Sequence, residues 1–404
     1  ITKTKAETEQ ANMYENMMIQ AGDDASVATR ITSNTVSSRR KFLHRWGPPI
    51  LVFSIASILI SKDSAGDGKV SSTLLRSFNG RRELYAPYDK TTTMNLPAWT
   101  NSLSDVWEPF TSTSSETKQQ DTPFFWYIPK AGGSTINDVF SHCLGLTLAS
   151  NKGMGSHNQT LGVYESTSEH EQQQYPHNAQ YVNVKTNNEQ WIEKCRERGL
   201  LESGLADVFT TQHMTYAAQK LFTETHKGRG FVMMRHPVKR VIDQFLYRQE
   251  QAKLAIAAAA APQGEPSQQL SQQQYLAGMS LEDFVASSDQ FMNNFEVRML
   301  NGITDFTTPI TEVHLAIAKE ILRRKFVVGI YEWFDVGMVR FEKYFGWWKK
   351  YSVLNNLTIN SCHYSIIESG SDEVSSSPKV ENVGEVYTAI LNRSWADMEL
   401  YHYA

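Results

Sequence analysis

Seven consecutive residues, Pro129-Lys130-Ala131-Gly132-Gly133-Ser134-Thr135, carry the strongest chemical signal in this chain. Adjacent glycines let a backbone turn tightly and bring its N–H groups close to an anion. Ser134 and Thr135 add hydroxyl donors, and a helix starting behind them would aim its positive end at the same point. Lys130 supplies a mobile full charge. The pattern reads as a phosphate cradle; its plain alternative is a Gly-rich turn beside a solvated lysine. It is not a Walker A loop, in which the lysine follows the glycines, so a P-loop kinase is the weaker reading.

A second run, Arg235-His236-Pro237-Val238-Lys239-Arg240, follows an apolar stretch and leads into Val241–Tyr247. An arginine at a strand end, with a proline opening the next helix, is placed for a second anionic group. His213, in Thr-Thr-Gln-His-Met, is the candidate general base, because imidazole titrates near working pH. His142, seven residues beyond the loop, is the alternative. The three cysteines, Cys143, Cys195 and Cys362, fit no zinc spacing, and no metal cluster is evident. Trp347-Trp348 could stack on sugar rings, but a helix end with buried tryptophans is the better reading, and for Arg298 a structural ion pair stands at least level with a contact to acceptor or cofactor.

The elements that must hold these residues alternate along the chain. Phe124–Ile128, Asp207–Thr211, Phe231–Met234 and Phe326–Tyr331 are strand candidates, each followed by helical spacing. Such alternation predicts an α/β fold with a parallel sheet flanked by helices, and chemistry outside the carboxyl ends of its strands. A low-complexity stretch near 255–274 reads as a surface insertion after a helix. Residues 62–120 read as a stem, with almost nothing to bury across 111–122.

Trp46–Ile60 carries no charge and follows Arg39, Arg40, Lys41 and Arg45. Fifteen helical residues span about 22 Å, short of a hydrocarbon core of about 30 Å, yet thin bilayers early in the secretory pathway accept such spans. We expect a single-span anchor over 46–61, a cytosolic tail over 1–45 by positive-inside bias, and residues 121–404 in a lumen. Sequons at Asn158, Asn356 and Asn392 are compatible with that topology. Net charge is −4, from 39 basic and 43 acidic residues, which argues against a nucleic-acid partner. Residues 121–404 alone hold 25 Lys/Arg and 31 Asp/Glu.

Taken in order, the Lys130 loop and the Arg235 segment resemble the Golgi carbohydrate sulfotransferases, most closely the heparan sulfate 2-O- and 6-O-sulfotransferase group. Asn294–Gly302, Phe326–Asp335, Phe341–Trp347 and Asp397–Ala404 are similar as well, so the resemblance covers roughly 121–404. It implies a P-loop-like sulfotransferase fold, a type II Golgi membrane protein, and 3′-phosphoadenosine 5′-phosphosulfate (PAPS) as donor to a carbohydrate hydroxyl, with no metal. By the same resemblance Lys130, Ala131, Gly132, Gly133, Ser134 and Thr135 cradle the 5′-phosphosulfate. Arg235 grips the 3′-phosphate, and Lys130 and His213 are catalytic. The chain departs from the family at Asp243, where a serine is expected to bond the 3′-phosphate. A carboxylate about 4 Å from a phosphate is repelled by around 4 kcal/mol at an effective dielectric near 20. Asp243 could turn to Lys239 or Arg240, or the site could be impaired, leaving a glycan- or partner-binding protein. In an oxidising lumen Cys143 and Cys195 could pair and leave Cys362 free, although sequence does not fix connectivity. The acceptor glycan and the oligomeric state stay open.

Overall fold

Strand–helix alternation resolves into one seven-stranded sheet with helices on both faces. The computed structural model describes residues 94–110, 120–153, 160–166, 175–259, 268–287, 293–347, 361–368 and 384–404. The expected tail, anchor and most of the stem lie outside the described residues, as do Asn158 and Asn356. Among the described residues no helix is long and apolar enough to cross a membrane.

The first half runs β1 (Gln120–Trp126), α1 (Gly133–Asp138, continued by a π turn over Val139–Cys143), β2 (Thr147–Ala149), β3 (Val163–Glu165), β4 (Gln180–Val182), α2 (Glu189–Glu197), α3 (Leu200–Ser203), β5 (Val208–Thr211) and α4 (Met214–Lys220). Then come β6 (His226–Met234), α5 (Pro237–Ala259), α6 (Gln268–Gly278), α7 (Leu281–Ala286), α8 (Phe295–Asn301), α9 (Glu312–Lys325), β7 (Phe326–Ile330), α10 (Phe334–Phe345), α11 (Glu385–Arg393) and α12 (Trp395–Tyr403). Strand order is β3-β4-β2-β5-β1-β6-β7, and every neighbouring pair is parallel except β3–β4. The four strands expected from sequence are therefore β1, β5, β6 and β7. The three-residue strands β2, β3 and β4 are too short to leave a period in the sequence.

β1 shows why its sequence is apolar at successive positions. Phe124 and Trp126 enter one core with Phe209, Phe222 and Val232, while Phe125 enters the other with Phe140, Phe231 and Phe341. A strand covered on both faces needs no polar alternation. Part of the expected insertion is helical: α6 packs back on α5, in keeping with the helix propensity of its Gln, Leu and Ala residues.

Two expectations are corrected. Residues 95–110, assigned to the stem, are part of the folded unit. Trp99 and Leu103 are buried in the core, and Asp105 pairs with Lys325 (2.6 Å) and Arg324 (2.8 Å). Arg229, buried at the start of β6, pairs with Asp121 and donates to the carbonyl oxygens of Asp105, Glu108 (3.0 Å) and Pro109. These partners lie far apart in sequence, so the short segment reads as linker until they are assembled. The second correction is the disulfide, which joins Cys143 to Cys362 with Cα atoms 5.7 Å apart. Cys195 is instead a buried free thiol on α2, pushed up to about 12 by burial.

Next to Cys362, Glu342 of α10 faces His363 at 3.7 Å. Burial pushes the Glu342 carboxyl up to about 7 and the His363 imidazole down to about 4. A carboxyl raised on folding costs stability as pH rises from its ordinary value of 4.5, and the cost is complete above about 7. The imidazole has the opposite dependence, costing stability as pH falls from 6.5 towards 4. Glu342→Gln is therefore expected to stabilise the protein at pH 8 by on the order of 1–3 kcal/mol, with no gain at pH 4.5. Urea unfolding at both pH values checks this, and an equal effect at both would contradict it.

Candidate functional site

Six parallel strands end on one edge of the sheet, and the loop after β1 sits at its centre. Pairing continues one residue past β1, where the Tyr127 N–H donates to the Thr211 carbonyl at 2.9 Å. The chain then turns through Lys130 (φ 62°) and Gly132 (φ 79°), both left-handed. Lys130 holds this conformation as a non-glycine residue, a strain of about 1–3 kcal/mol of the kind concentrated at functional sites. The Gly132 carbonyl accepts the Ile136 N–H at 3.0 Å and opens α1.

The glycines have a second, steric reason. A Cβ on Gly132 would lie 2.8 Å from the Tyr331 ring and 3.0 Å from that of Phe334; one on Gly133 would lie 2.5 Å from Tyr127. Ser134 is exposed and its hydroxyl bonds the Tyr127 oxygen. Burial pushes the Tyr127 phenol up to about 12, helped by Tyr247 and Asp138. Thr135 is half-buried and Ala131 is buried under the loop.

Lys130 and Arg235 are brought together. The Lys130 ammonium lies 3.4 Å from the centroid of the Tyr247 ring, on α5. Arg235, only 6% exposed, donates from Nη1 to the Lys130 carbonyl at 2.7 Å and stacks over Tyr331 at 4.5 Å. Asp243 pairs with Arg235 itself through Nη2, a partner that neither alternative from the sequence had named. Arg240 is unsuited to that role because it is fully buried against Glu296 (2.7 Å) and Asp397 (3.6 Å). Burial and the neighbouring Glu296 hold the Asp397 carboxyl well above its usual range. Lys239 is exposed and lies 3.8 Å from Glu332.

His213 occupies the same edge, capping α4 two residues beyond β5. Its Nε2 lies 2.9 Å from the Asn187 carbonyl, which can only accept. Nε2 therefore carries the proton, and Nδ1 is the basic nitrogen. His142 is buried in the π turn before β2, at the amino edge of the sheet, with Nδ1 3.3 Å from the His177 carbonyl. The topology thus separates it from the loop.

Sequence reasoning missed His236, half-buried after β6, whose backbone N–H donates to the Glu332 carboxylate at 3.3 Å. Burial lowers its imidazole below the ordinary value. Tyr127, Tyr247, Tyr331 and Glu332 were missed too, although all but Tyr247 follow a strand's carboxyl end, which is the signal that marks them. Arg298 is structural, donating to the carbonyls of Asn293, Asp305 and Thr308. Trp347 is buried in the aromatic core and Trp348 lies outside the described residues.

Among the described residues, one concavity of about 150 Å³ lies near Asp121 and Trp347, and another of about 270 Å³ lies near Glu165 and His177. At the carboxyl edge the anion-seeking groups are covered by the protein's own rings and by Asp243. Among the described residues no group of His, Cys, Asp and Glu has the makings of a metal site. Compared with family models, curated proteins and solved structures, the chain matches none.

Gly133→Ala is expected to cost about 1–3 kcal/mol, because a methyl there meets the Tyr127 ring. Removing the ring with Tyr127→Ala should cancel most of that cost. Urea unfolding of the double-mutant cycle checks it, and additive single effects would contradict the steric account.

Proposed function

We propose that the protein transfers a sulfuryl group from PAPS to a carbohydrate hydroxyl. The observation that carries this reading is the convergence of Lys130, Arg235 and His213 on the carboxyl edge, around a strained glycine loop. Arg235 Nε is buried with no hydrogen-bond partner among the described residues, so the guanidinium has donor capacity left for an anion. The donor set fits PAPS in part: the loop, Lys130 and Arg235 suit two anionic groups, while Asp243 competes for Arg235. PAPS would supply an activated sulfuryl group on a good leaving group.

The chain's own tasks follow from that chemistry. Backbone N–H groups of Gly132 and Gly133, with Ser134 and Thr135, hold the 5′ end. Lys130 leaves the Tyr247 face and neutralises charge at the departing oxygen. Arg235 grips the 3′-phosphate once Asp243 releases it; Lys239, one helical turn away and exposed, can then take the carboxylate. His213 takes the acceptor proton on Nδ1. A secretory-pathway setting is supported by the Cys143–Cys362 disulfide, since such bonds persist in oxidising compartments. The charge-free Trp46–Ile60 segment supports a type II Golgi anchor.

The Arg235–Asp243 pair also favours a second reading, a sulfotransferase-like fold whose donor site is silent and which binds glycans or partners. Radiolabelled sulfate transfer from PAPS onto a glycan panel tests the first reading. We expect activity in the unmodified chain, a drop of about 10²–10⁴-fold in His213→Ala, and comparable losses in Lys130→Ala and Arg235→Ala. Activity surviving both Lys130→Ala and Arg235→Ala would overturn the site. Asp243→Ser is expected to tighten binding of adenosine 3′,5′-bisphosphate roughly tenfold or more. If only that variant binds the nucleotide, the second reading holds.

A further inference from the structure

The Cys143–Cys362 disulfide joins residues 219 positions apart and ties a short segment to the middle of the fold. Cys143 is fully buried at the end of the π turn that continues α1, the helix opening at the candidate loop. Cys362 lies in the helical stretch 361–368. Among the described residues that stretch gives the core two buried side chains, Cys362 and Ile366, in the cluster of Phe140, Phe341, Phe345 and Trp347. A short helix in water draws its stability from packing, so the form of 361–368 depends on staying docked.

The same stretch buries polar atoms without satisfying them. His363 Nε2 faces Glu342 Oε1 of α10 at 3.7 Å, beyond hydrogen-bond reach, and both atoms are buried with no hydrogen-bond partner. Stranded polar groups of this kind oppose burial by an amount comparable with what two apolar side chains return. Nor does a change of pH relieve the pair. The Glu342 carboxyl, raised by burial to about 7, opposes docking in alkaline solution. The His363 imidazole, lowered by burial to about 4, opposes it in acid, and Asp335 of α10 offsets that only in part. One cost grows as the other fades, so a polar load stays on the segment throughout. What holds the segment against that load is the covalent bond beside it.

We propose that 361–368 is a redox latch: the Cys143–Cys362 bond holds a segment loaded by Glu342 and His363, and opening of that bond by a dithiol releases the segment and loosens the end of α1. The exchange balances. A thiolate of the dithiol attacks one sulfur of the bond, and the other sulfur leaves and takes a proton. The second thiol of the reductant then closes its own disulfide and displaces the first cysteine, so two electrons and two protons pass to Cys143 and Cys362. Release reaches the candidate loop through α1, because Gly133–Asp138 and Val139–Cys143 form one continuous helical stretch. The bond and its polar load involve none of the residues assigned to sulfuryl transfer.

Hydrogen exchange read by mass spectrometry on the full chain at pH 7, with and without dithiothreitol, tests the latch. On reduction we expect amide protection across 361–368 to fall by roughly tenfold or more, that of 133–143 to fall by less, and that of β1 to hold. Cys143→Ala with Cys362→Ala should show the same pattern without reductant. Glu342→Met with His363→Leu replaces the load by apolar groups of similar volume, and should keep 361–368 protected to within about twofold after reduction. A bond that resists dithiothreitol in the native protein would overturn the switch, as would unchanged protection of 361–368 once it is reduced. Loss of protection in β1 together with 361–368 would make the bond a staple of the whole fold and refute the latch. Equal release in the reduced Glu342→Met/His363→Leu variant and the reduced unmodified chain would refute the polar load.

Discussion

β1 is hydrogen-bonded along both edges and buried on both faces, and the candidate site depends on where it stops. Its register with β6 runs the full length from Gln120 to Trp126, and with β5 from Phe124 to Trp126. Such a strand has no freedom to slip, because a one-residue shift would exchange Phe125 with Phe124 and Trp126 across the sheet. Lys130 and Gly132 can therefore be held in left-handed conformations at a fixed point. The residues after β5, β6 and β7 meet that point because their strands run parallel to β1.

At that fixed point, electrostatics decides the chemistry. Arg235 is almost fully buried, and a lone guanidinium there would lose its hydration without return. Asp243 makes the burial tolerable, with the Lys130 carbonyl and the Tyr331 ring completing the shell. The same carboxylate lowers the positive charge offered to any nucleotide. Under the proposed function, exchange of one anion for another on Arg235 would be the step on which donor binding turns. The Arg240–Glu296–Asp397 cluster beneath it is fully buried and holds α5, α8 and α12 together, so Arg235 can release a partner without loosening the helix that carries Asp243.

Much of this was legible in the sequence. The four apolar runs gave β1, β5, β6 and β7, and the strand-end rule put the Lys130 loop, His213 and Arg235 on one edge. What stayed hidden depends on partners distant in sequence. Asp105 looks like a stem residue until Arg324 and Lys325 reach it from more than two hundred positions away. Cys362 gives no sign of Cys143 as its partner, since spacing alone does not favour one pairing of three cysteines. Asp243 is visible as a departure, yet helical spacing offers only Lys239 and Arg240 as partners, and the arginine at the strand end meets it only once β6 and α5 are assembled. The aromatic rings against Gly132 and Gly133 were equally out of reach, as a glycine reports close approach without naming the neighbour.

The central claim is that Arg235 trades Asp243 for a nucleotide phosphate. A crystal structure of residues 94–404 with adenosine 3′,5′-bisphosphate tests it most directly. The account predicts the 3′-phosphate on Arg235, the 5′-phosphate at the N–H groups of Gly132 and Gly133, and Asp243 turned towards Lys239. An intact Arg235–Asp243 pair at saturating nucleotide, with no density at the loop, would contradict it.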